Sequence, residues 1–300
     1  MKGQTVSPHS CVVCGSEIAP RLDSALYRCR ECGYWGSDFA PVPADTSRSA
    51  LNEAHRHAAL AGLRSANSQT ILRVLGRHAP LAGARLCDIG CAYGWFLKTA
   101  QDCGVEAMGI EPEAPVAEAA LREGLHVLGG FFPDCLTDEE QFEIITFNDV
   151  LEHLAEIDRV LEACHRHLVP GGLLSIVIPS SRGSVFRLSC TLSRIRMRRP
   201  LDRLWQRDFS CPHVHYFNAG NLEALLKRHG FELLHSQDLP SLQLKGLWHR
   251  LRMDANAKLL PSLAAWASMV MLYPVLRVTP SDILFQIYRR TNDGVTASGG

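Results

Sequence analysis

Four cysteines near the N-terminus have the spacing of a metal site. They form two C-x-x-C pairs separated by fourteen residues: Cys11, Cys14, Cys29 and Cys32. Two matched pairs favour a closed tetrahedral site in which four thiolates surround a zinc ion. A redox-active dithiol, the alternative, would need only one pair. The sequence therefore predicts a structural zinc ion in a small ribbon, whose folding energy comes mostly from the metal.

A second stretch with chemical character covers residues 85–97. Its pattern predicts a buried strand, a glycine-rich turn and the start of a helix. Gly90 and Gly94, with Cys91 between them, would let a ligand approach the backbone closely. Asp88 comes two positions before Gly90, where its charge would repel a phosphate. A ligand with a cationic centre and an amino-acid tail tolerates that carboxylate, and S-adenosylmethionine (SAM) is such a ligand.

An acidic residue follows the next predicted strand, at 105–110. Glu111 and Pro112 come about twenty residues after the glycines, the distance at which an acid can bind ribose hydroxyls. Two hydroxyl donors match the two oxygens of one carboxylate. Taken alone, the glutamate could be an ordinary exposed residue and the glycine turn purely structural. Their pairing favours a nucleoside site.

Three motifs together resemble the class I SAM-dependent methyltransferases. They are Asp88-Ile-Gly-Cys-Ala-Tyr-Gly94, Asp149-Val-Leu-Glu-His153, and the turn Pro170-Gly-Gly172 before a predicted strand. The resemblance implies an α/β fold with a Rossmann-like, seven-stranded methyltransferase sheet behind an N-terminal zinc ribbon. It also implies that SAM is the cofactor and that Glu111 binds its ribose.

The resemblance also indicates further cofactor residues. Asn148 and Asp149 follow the fourth predicted strand of the sheet, at the edge where ligands bind, whereas Glu152 is predicted to be structural. Many relatives place an acid for the adenine after the third strand. This chain has an aromatic there, so the Phe131 ring or nearby backbone is expected to hold the adenine. The predicted cofactor-binding residues are Asp88, Gly90, Cys91, Gly94, Glu111, Pro112, Phe131, Asn148 and Asp149.

Three histidines could accept a proton from an acceptor hydroxyl, because the imidazole pKa lies near neutrality. His153 follows the fourth strand, and its alternative role is a local hydrogen bond. His213 and Tyr216, preceded by Trp205, resemble a His-x-x-Tyr-Phe run of a bacterial methyltransferase subgroup. His215 would lie on the same side of an extended segment as His213. A metal site at this pair would lack a third ligand nearby in sequence.

Composition divides the chain into four parts: the zinc ribbon at 1–40, a linker with lead-in helices at 41–80, the SAM-binding core at 81–240, and a helical insertion, a last antiparallel strand and a disordered tail at 241–300. Within the core, the segment 181–212 is rich in arginine. This basic flap predicts an anionic partner, such as a substrate phosphate or carboxylate. A solvated basic helix is the alternative.

The whole chain gives few signs of a special compartment. Its formal net charge is zero, which argues against nucleic acid as a partner, and it contains eleven cysteines without a secretory signal. We therefore expect reduced thiols and a cytoplasmic protein. The uncharged stretch 259–276 is only just long enough to span a membrane. Pro261 and Pro274 are expected to break it, which favours a buried, dimer or membrane-surface helix.

These observations predict a SAM-dependent methyltransferase that acts on a small polar acceptor. The resemblance implies a hydroxyl of a sugar or a related metabolite. One alternative is a zinc-ribbon RNA methyltransferase. The segment 148–151 lacks the Asn/Asp-Pro-Pro-aromatic motif typical of base-amino methylation, which argues against it. A non-catalytic SAM-fold binding module is the other alternative.

Overall fold

The computed structural model describes residues 9–43, 53–244, 246–252 and 258–292. Most of the predicted linker and most of the predicted disordered tail lie outside these residues. The described part of the chain contains a seven-stranded sheet and a smaller five-stranded sheet. Helices cover both faces of the larger one.

The N-terminal ribbon consists of short antiparallel strands joined by tight turns. They are β1 (His9–Ser10), β2 (Glu17–Arg21), β3 (Asp23–Arg28) and β4 (Trp35–Ser37). A long helix follows, α1 (Glu53–Leu75). It corresponds to the lead-in helices that the alanine- and leucine-rich composition predicts.

Strands and helices then alternate through the core. The elements are β5 (Arg85–Ile89), α2 (Trp95–Gln101), β6 (Glu106–Glu111), α3 (Ala114–Arg122), β7 (His126–Gly129), β8 (Phe142–Asn148), a 3-10 turn (Leu151–His153), α4 (Ile157–His167) and β9 (Leu168–Pro179). The flap and the C-terminal part contain α5 (Ser184–Arg194), α6 (Arg199–Leu204), β10 (His215–Tyr216), α7 (Ala219–Arg228), β11 (Phe231–Leu239), α8 (Leu247–Leu251), α9 (Leu259–Val278) and β12 (Ile283–Arg290).

The large sheet has the strand order β11-β12-β9-β8-β5-β6-β7. Neighbours from β9 to β7 are parallel, whereas β12 lies antiparallel between β9 and β11. The predicted Rossmann-like, seven-stranded sheet is confirmed. The chain reverses its direction of winding between β5 and β8, and ligands bind at such a switch point, beyond the carboxyl ends of the strands.

Alternation along the strands divides the apolar side chains between the two faces. On one face, residues such as Ile145 and Ile176 pack against α4 and α7. On the other, residues such as Ile144 and Leu173 pack against α1, α2 and α3. Because both faces are buried, most residues of the central strands are apolar, as parallel strands are expected to be, and Asp88, Thr146 and Asn148 are exceptions near the carboxyl ends.

The ribbon shares its sheet and its core with the α/β part of the chain. Strand β10 pairs with β4, so the small sheet runs β1-β2-β3-β4-β10. Tyr34 of the ribbon packs in the same apolar cluster as Phe217 and Leu222. Asn218 caps α7 in a capping box with Asn221. The side chain of Asn221 also donates to the carbonyl of Cys32.

Trp205 joins the flap to the ribbon. Its side chain is fully buried, with its ring 4.7 Å from that of Tyr216 and 6.2 Å from that of Phe39, measured between centroids. Among the described residues, its indole N–H has no hydrogen-bond partner.

We expect Trp205→Ala to lower the free energy of unfolding by about 3–5 kcal/mol. Trp205→Phe should cost much less, because it removes the unpaired donor and keeps an aromatic ring. Urea unfolding tests this, and equal losses in the two variants would contradict it.

Helix α9 corrects one expectation. The structure has a single helix, Leu259–Val278, with Pro274 inside it. Pro261 lies in the first turn, where a missing N–H breaks no intrahelical bond, and the helix continues on both sides of Pro274. Several apolar side chains on it are exposed, Val278 and Met271 most of all. None of the helices in the described part of the chain combines the length and apolarity needed to cross a membrane.

Candidate active site

The turn after β5 depends on two glycines. Their φ angles are 68° at Gly90 and 74° at Gly94, which L side chains rarely adopt. A Cβ on Gly90 would lie 2.6 Å from Cγ2 of Val150, and one on Gly94 would lie 2.1 Å from Cδ1 of Leu125. The segment after β8 therefore contacts the turn after β5 so closely that residue 90 must be a glycine.

Glu111, at the end of β6, lies beside this turn. Its Oε2 accepts a hydrogen bond from the backbone N–H of Ala92, and its Oε1 accepts one from that of Glu113, both at 2.9 Å. Burial raises the pKa of the carboxyl, and the two N–H donors act in the opposite direction. A carboxylate has roughly four lone-pair sites. Glu111 can therefore hold the turn and also accept bonds from ribose hydroxyls.

Asp88 connects β5 to β8 across the switch point. Its Oδ1 accepts hydrogen bonds from the hydroxyl of Thr146 at 2.6 Å and from the amide of Asn148 at 2.8 Å. Burial raises the pKa of Asp88 to about 7, against the effect of these two donors. Among the described residues, the buried Oδ1 of Asn148 has no hydrogen-bond partner. That oxygen can accept a bond from a ligand donor.

The other predicted cofactor residues differ in their exposure to solvent. The thiol of Cys91 is buried against Gly109, where a Cβ would lie 2.3 Å from Sγ, so only the backbone of Cys91 can face a ligand. Pro112 and Asp149 are exposed, and Phe131 is 71% exposed. The structure thus brings together Asp88, Glu111 and the two glycines. The Phe131 ring is exposed to solvent, and a bound adenine would have to cover it.

A compact cluster of side chains lies in and around the 3-10 turn after β8. One ligand atom each of Glu152, His153 and His213 lies within 4.8 Å of the others. Nδ1 of His153 is 2.9 Å from the carbonyl of Pro212, so Nδ1 carries the proton and Nε2 keeps its lone pair. Within the described residues, Oε2 of Glu152 and Nδ1 of His213 are buried without partners. Buried polar atoms without partners are costly and indicate a bound group.

Burial shifts the pKa values of all three groups toward their neutral forms. It raises the pKa of Glu152 well above its usual range, and the charge of Asp149 adds to the rise. It lowers the pKa of His153, and it lowers the pKa of His213 to about 3. Although His213 lies 3.9 Å from Glu152, the two are therefore not an ion pair at neutral pH. Both imidazoles are neutral there, and Nε2 of His213 accepts a hydrogen bond from the side-chain amide of Gln206 at 2.9 Å, a bond that a ligand at Nε2 would have to displace.

His215 differs from the other two histidines. Its Nδ1 accepts a hydrogen bond from the hydroxyl of Tyr34 at 2.5 Å, and its Nε2 donates to the carbonyl of Leu154 at 2.9 Å. Both ring nitrogens are engaged, which leaves none for a substrate. The predicted role of His215 as a proton acceptor would require one of these two bonds to break.

The four ribbon cysteines converge. Sγ of Cys11 lies 3.5 Å from Sγ of Cys32, Sγ of Cys14 lies 3.5 Å from Sγ of Cys29, and all four sulfurs lie within 4.8 Å of one another. With Zn–S bonds of about 2.3 Å, a tetrahedral site places its sulfurs about 3.8 Å apart. The cluster fits a zinc ion.

The basic flap is partly neutralised by the ribbon. Arg198 and Arg207 both pair with Asp23, and Arg207 also lies 3.5 Å from Asp202. Against the effect of burial, the hydrogen bond from the N–H of Ala25 and the two arginines lower the pKa of Asp23. These two guanidinium groups are structural, so the predicted binding of an anionic partner would depend on the remaining arginines of the flap.

A seven-stranded sheet in this order, with a glycine turn after β5 and a buried acid after β6, defines the Rossmann-like fold of class I methyltransferases. Residues 55–236 match the family model for a methyltransferase domain. The chain belongs to this methyltransferase-domain family.

Curated relatives match a shorter stretch. A ubiquinone biosynthesis O-methyltransferase from Nitrobacter winogradskyi is 35% identical over 98 residues, which cover 30% of this chain and 37% of the relative. Another of that name, from Pseudomonas fluorescens, is 35% identical over 95 residues, 29% of this chain and 41% of the relative. The chain thus matches well under half the length of these relatives.

Solved structures share the fold. A SAM-dependent methyltransferase from Archaeoglobus fulgidus superposes with a TM-score of 0.53 and 14% identity, covering 80% of this chain and 100% of that one. A methyltransferase from a Haloferax volcanii complex with the Trm112 methyltransferase activator gives 0.54 and 15%, covering 81% and 100%. At such identities, the likeness shows the fold alone.

Proposed function

We propose that the chain transfers the methyl group of SAM to the oxygen of a hydroxyl on a small acceptor. Two observations support oxygen as the target. The curated relatives described above are named O-methyltransferases, and the polar cluster of Glu152, His153 and His213 can bind a hydroxyl. The names of those relatives do not mention sugars. We therefore propose a hydroxyl oxygen as the acceptor atom and do not propose a sugar as the acceptor molecule.

The position of the cluster is the observation that carries the proposal. Val150 contacts Gly90 of the cofactor turn, and the 3-10 turn with Glu152 and His153 follows directly. The backbone N–H of Val214 donates to the carbonyl of Glu152 at 2.8 Å, which holds the segment of His213 against the same turn. These contacts support an acceptor site at the cluster, next to the glycine turn that we propose binds SAM.

The cluster's chemistry fits a divalent metal ion better than a lone base. A pKa of about 3 makes His213 a poor proton acceptor at neutral pH. Two imidazoles and one carboxyl are a donor set that transition-metal ions favour, and Glu152, His153 and His213 would hold the ion. When bound, such an ion lowers the pKa of a coordinated hydroxyl. The bond from His153 to the Pro212 carbonyl fixes the ring that would bind it.

Label transfer from methyl-labelled SAM tests the proposal. The acceptor panel contains phenols and catechols, sugar nucleotides, and total RNA. We expect label in a hydroxyl acceptor, loss of transfer after mild chelation, and recovery with Mn²⁺, Zn²⁺ or Mg²⁺. Label in RNA alone would favour an RNA methyltransferase. SAM binding without transfer to any acceptor would favour a non-catalytic module.

We also propose that the four ribbon cysteines hold one structural zinc ion. Their sulfur geometry supports the assignment, as does the donor set of four thiolates. In this closed site no position stays open for a substrate. The ion would connect the turn at Cys11 and Cys14 with the turn at Cys29 and Cys32.

Cys29→Ser tests the zinc site. We expect the zinc content to fall from about one ion per chain to near none, and the ribbon to lose its folded structure, because metal binding supplies much of the folding energy of such modules. Elemental analysis and thermal unfolding measure both effects. Cys103→Ser is the matched control, since Cys103 is an exposed cysteine outside the ribbon. Full zinc content in Cys29→Ser would contradict the assignment.

A further inference from the structure

We propose that the zinc ribbon positions the acceptor-side cluster, and that Tyr34 is the positioning residue through which it acts. The inference rests on the proposed function, because it concerns the same Glu152, His153 and His213 side chains. It assigns the ribbon a role in the reaction, beyond capping the neighbouring part of the chain.

A chain of two hydrogen bonds joins the ribbon to the turn of the cluster. Tyr34 comes two residues after the ribbon cysteine Cys32 and is 2% exposed. Its hydroxyl donates to Nδ1 of His215, and Nε2 of His215 donates to the carbonyl of Leu154, the residue that ends the 3-10 turn. Because the Nε2 proton is committed to Leu154, Nδ1 can only accept, and Tyr34 is the donor it meets.

Backbone contacts hold the same segment from the ribbon side. The N–H of Ser37 donates to the carbonyl of Val214 at 3.0 Å, and the Ser37 hydroxyl donates to the carbonyl of His213 at 2.8 Å. The N–H of Val214 donates in turn to the carbonyl of Glu152. The residue after His213 is therefore clamped between β4 and the 3-10 turn.

The fit around the tyrosine hydroxyl is close. A Cβ on Gly36 would lie 2.9 Å from the Tyr34 hydroxyl oxygen, so a larger residue at this position would displace the hydroxyl. The Tyr34 ring also packs 5.3 Å from that of Phe217, between centroids. Such packing restricts the ring to one orientation, which is what a residue that aims a hydrogen bond requires.

Tyr34→Phe separates positioning from folding. The variant keeps the ring, the four cysteines and the backbone pairing, and removes one hydrogen bond. We expect kcat to fall about tenfold to a hundredfold, as for a small misplacement of reacting groups. The affinity for SAM and the zinc content should stay at wild-type values. The side-chain ¹⁵N resonances of His153 and His213 should shift, which can be measured without knowing the acceptor.

Tyr27→Phe is the matched control. Tyr27 is another buried ribbon tyrosine, and its hydroxyl bonds to Asp38, which is not part of the His215 chain of contacts. We expect wild-type kcat and unshifted His153 and His213 resonances. If Tyr34→Phe does not fold, Ser37→Ala tests the positioning role instead. It removes the separate hydrogen bond from the Ser37 hydroxyl to the carbonyl of His213.

Two outcomes of this experiment have different meanings. If Tyr34→Phe and Ser37→Ala both match Tyr27→Phe in kcat and in the histidine resonances, the positioning role is wrong. If the wild-type protein transfers no methyl group to any hydroxyl, the proposed function fails. The shifts of the His153 and His213 resonances still decide the positioning role in that case.

Discussion

Glu111→Ala is expected to weaken SAM binding by about two orders of magnitude. Hydrogen bonds to a charged acceptor contribute about 1.5–3 kcal/mol each, and two lost ribose bonds amount to about 3 kcal/mol, roughly a hundredfold in Kd. The variant also loses the bond from Glu111 to the N–H of Ala92, which loosens the glycine turn. Calorimetric titration with SAM measures the effect.

Glu106→Ala is the control for this experiment. Glu106 is an exposed glutamate at the opposite end of the same strand, β6, so its removal should leave SAM affinity unchanged. A well-folded Glu111→Ala variant that binds SAM as tightly as the wild-type protein would place the ribose elsewhere. The buried carboxyl would then have only the structural role of holding the turn.

Glu152→Gln is expected to lower kcat by about a thousandfold while SAM affinity stays constant. Removing a group that activates the acceptor hydroxyl typically costs a factor of about 10²–10⁴. The protein should remain folded and be at least as stable. Burial raises the pKa of Glu152 well above its usual range, so a neutral amide should be no more costly to bury there than the carboxyl. Activity and stability would therefore move independently, which distinguishes an active-site role from a structural one.

Glu156→Gln provides the comparison for Glu152→Gln. Glu156 is exposed, lies four residues further along, and pairs with Arg159 at the surface. Surface ion pairs contribute at most about 1 kcal/mol, so kcat and stability should change little. Elemental analysis and Mn²⁺ titration of both variants and the wild-type protein report on the ion. Only Glu152→Gln should lose a bound divalent ion beyond the zinc of the ribbon.

The cofactor side of the site follows from local sequence because its determinants are local. The glycine turn needs positive φ at Gly90 and Gly94, and the acid after β6 lies one strand away in register with β5. Such features depend on the strand-turn-helix order, which apolar runs and glycines make visible. The assignment of residues such as Glu111 to SAM stays a prediction that the titrations above test.

The acceptor side depends on contacts between residues far apart in sequence. Glu152 is predicted to be structural because an acid next to His153 has no visible partner until His213 folds back against it. Nearby sequence pairs His213 with His215, whereas the structure groups His213 with Glu152 and His153, about sixty residues earlier in the chain. An acid adjacent to a histidine after a strand was the available signal.

The ribbon shows the same limit of local patterns. Its cysteine spacing is readable, but the pairing of β4 with β10 is not, since β10 has only two residues. The arginines of the flap indicate a cationic surface, yet Arg198 and Arg207 pair with Asp23, about 180 residues away. The residue composition of a segment gives its net charge. Its ion-pair partners are set by the tertiary structure.

A single-turnover comparison of wild-type protein and Glu152→Gln tests the central claim most directly. Both proteins are saturated with methyl-labelled SAM and mixed with the hydroxyl acceptor that the panel identifies, and the methyl ether is quantified over time. We predict rapid ether formation by the wild-type protein and a rate about a thousandfold lower for the variant, with equal amounts of SAM bound. Equal rates in the two proteins would contradict an acceptor site at Glu152, His153 and His213.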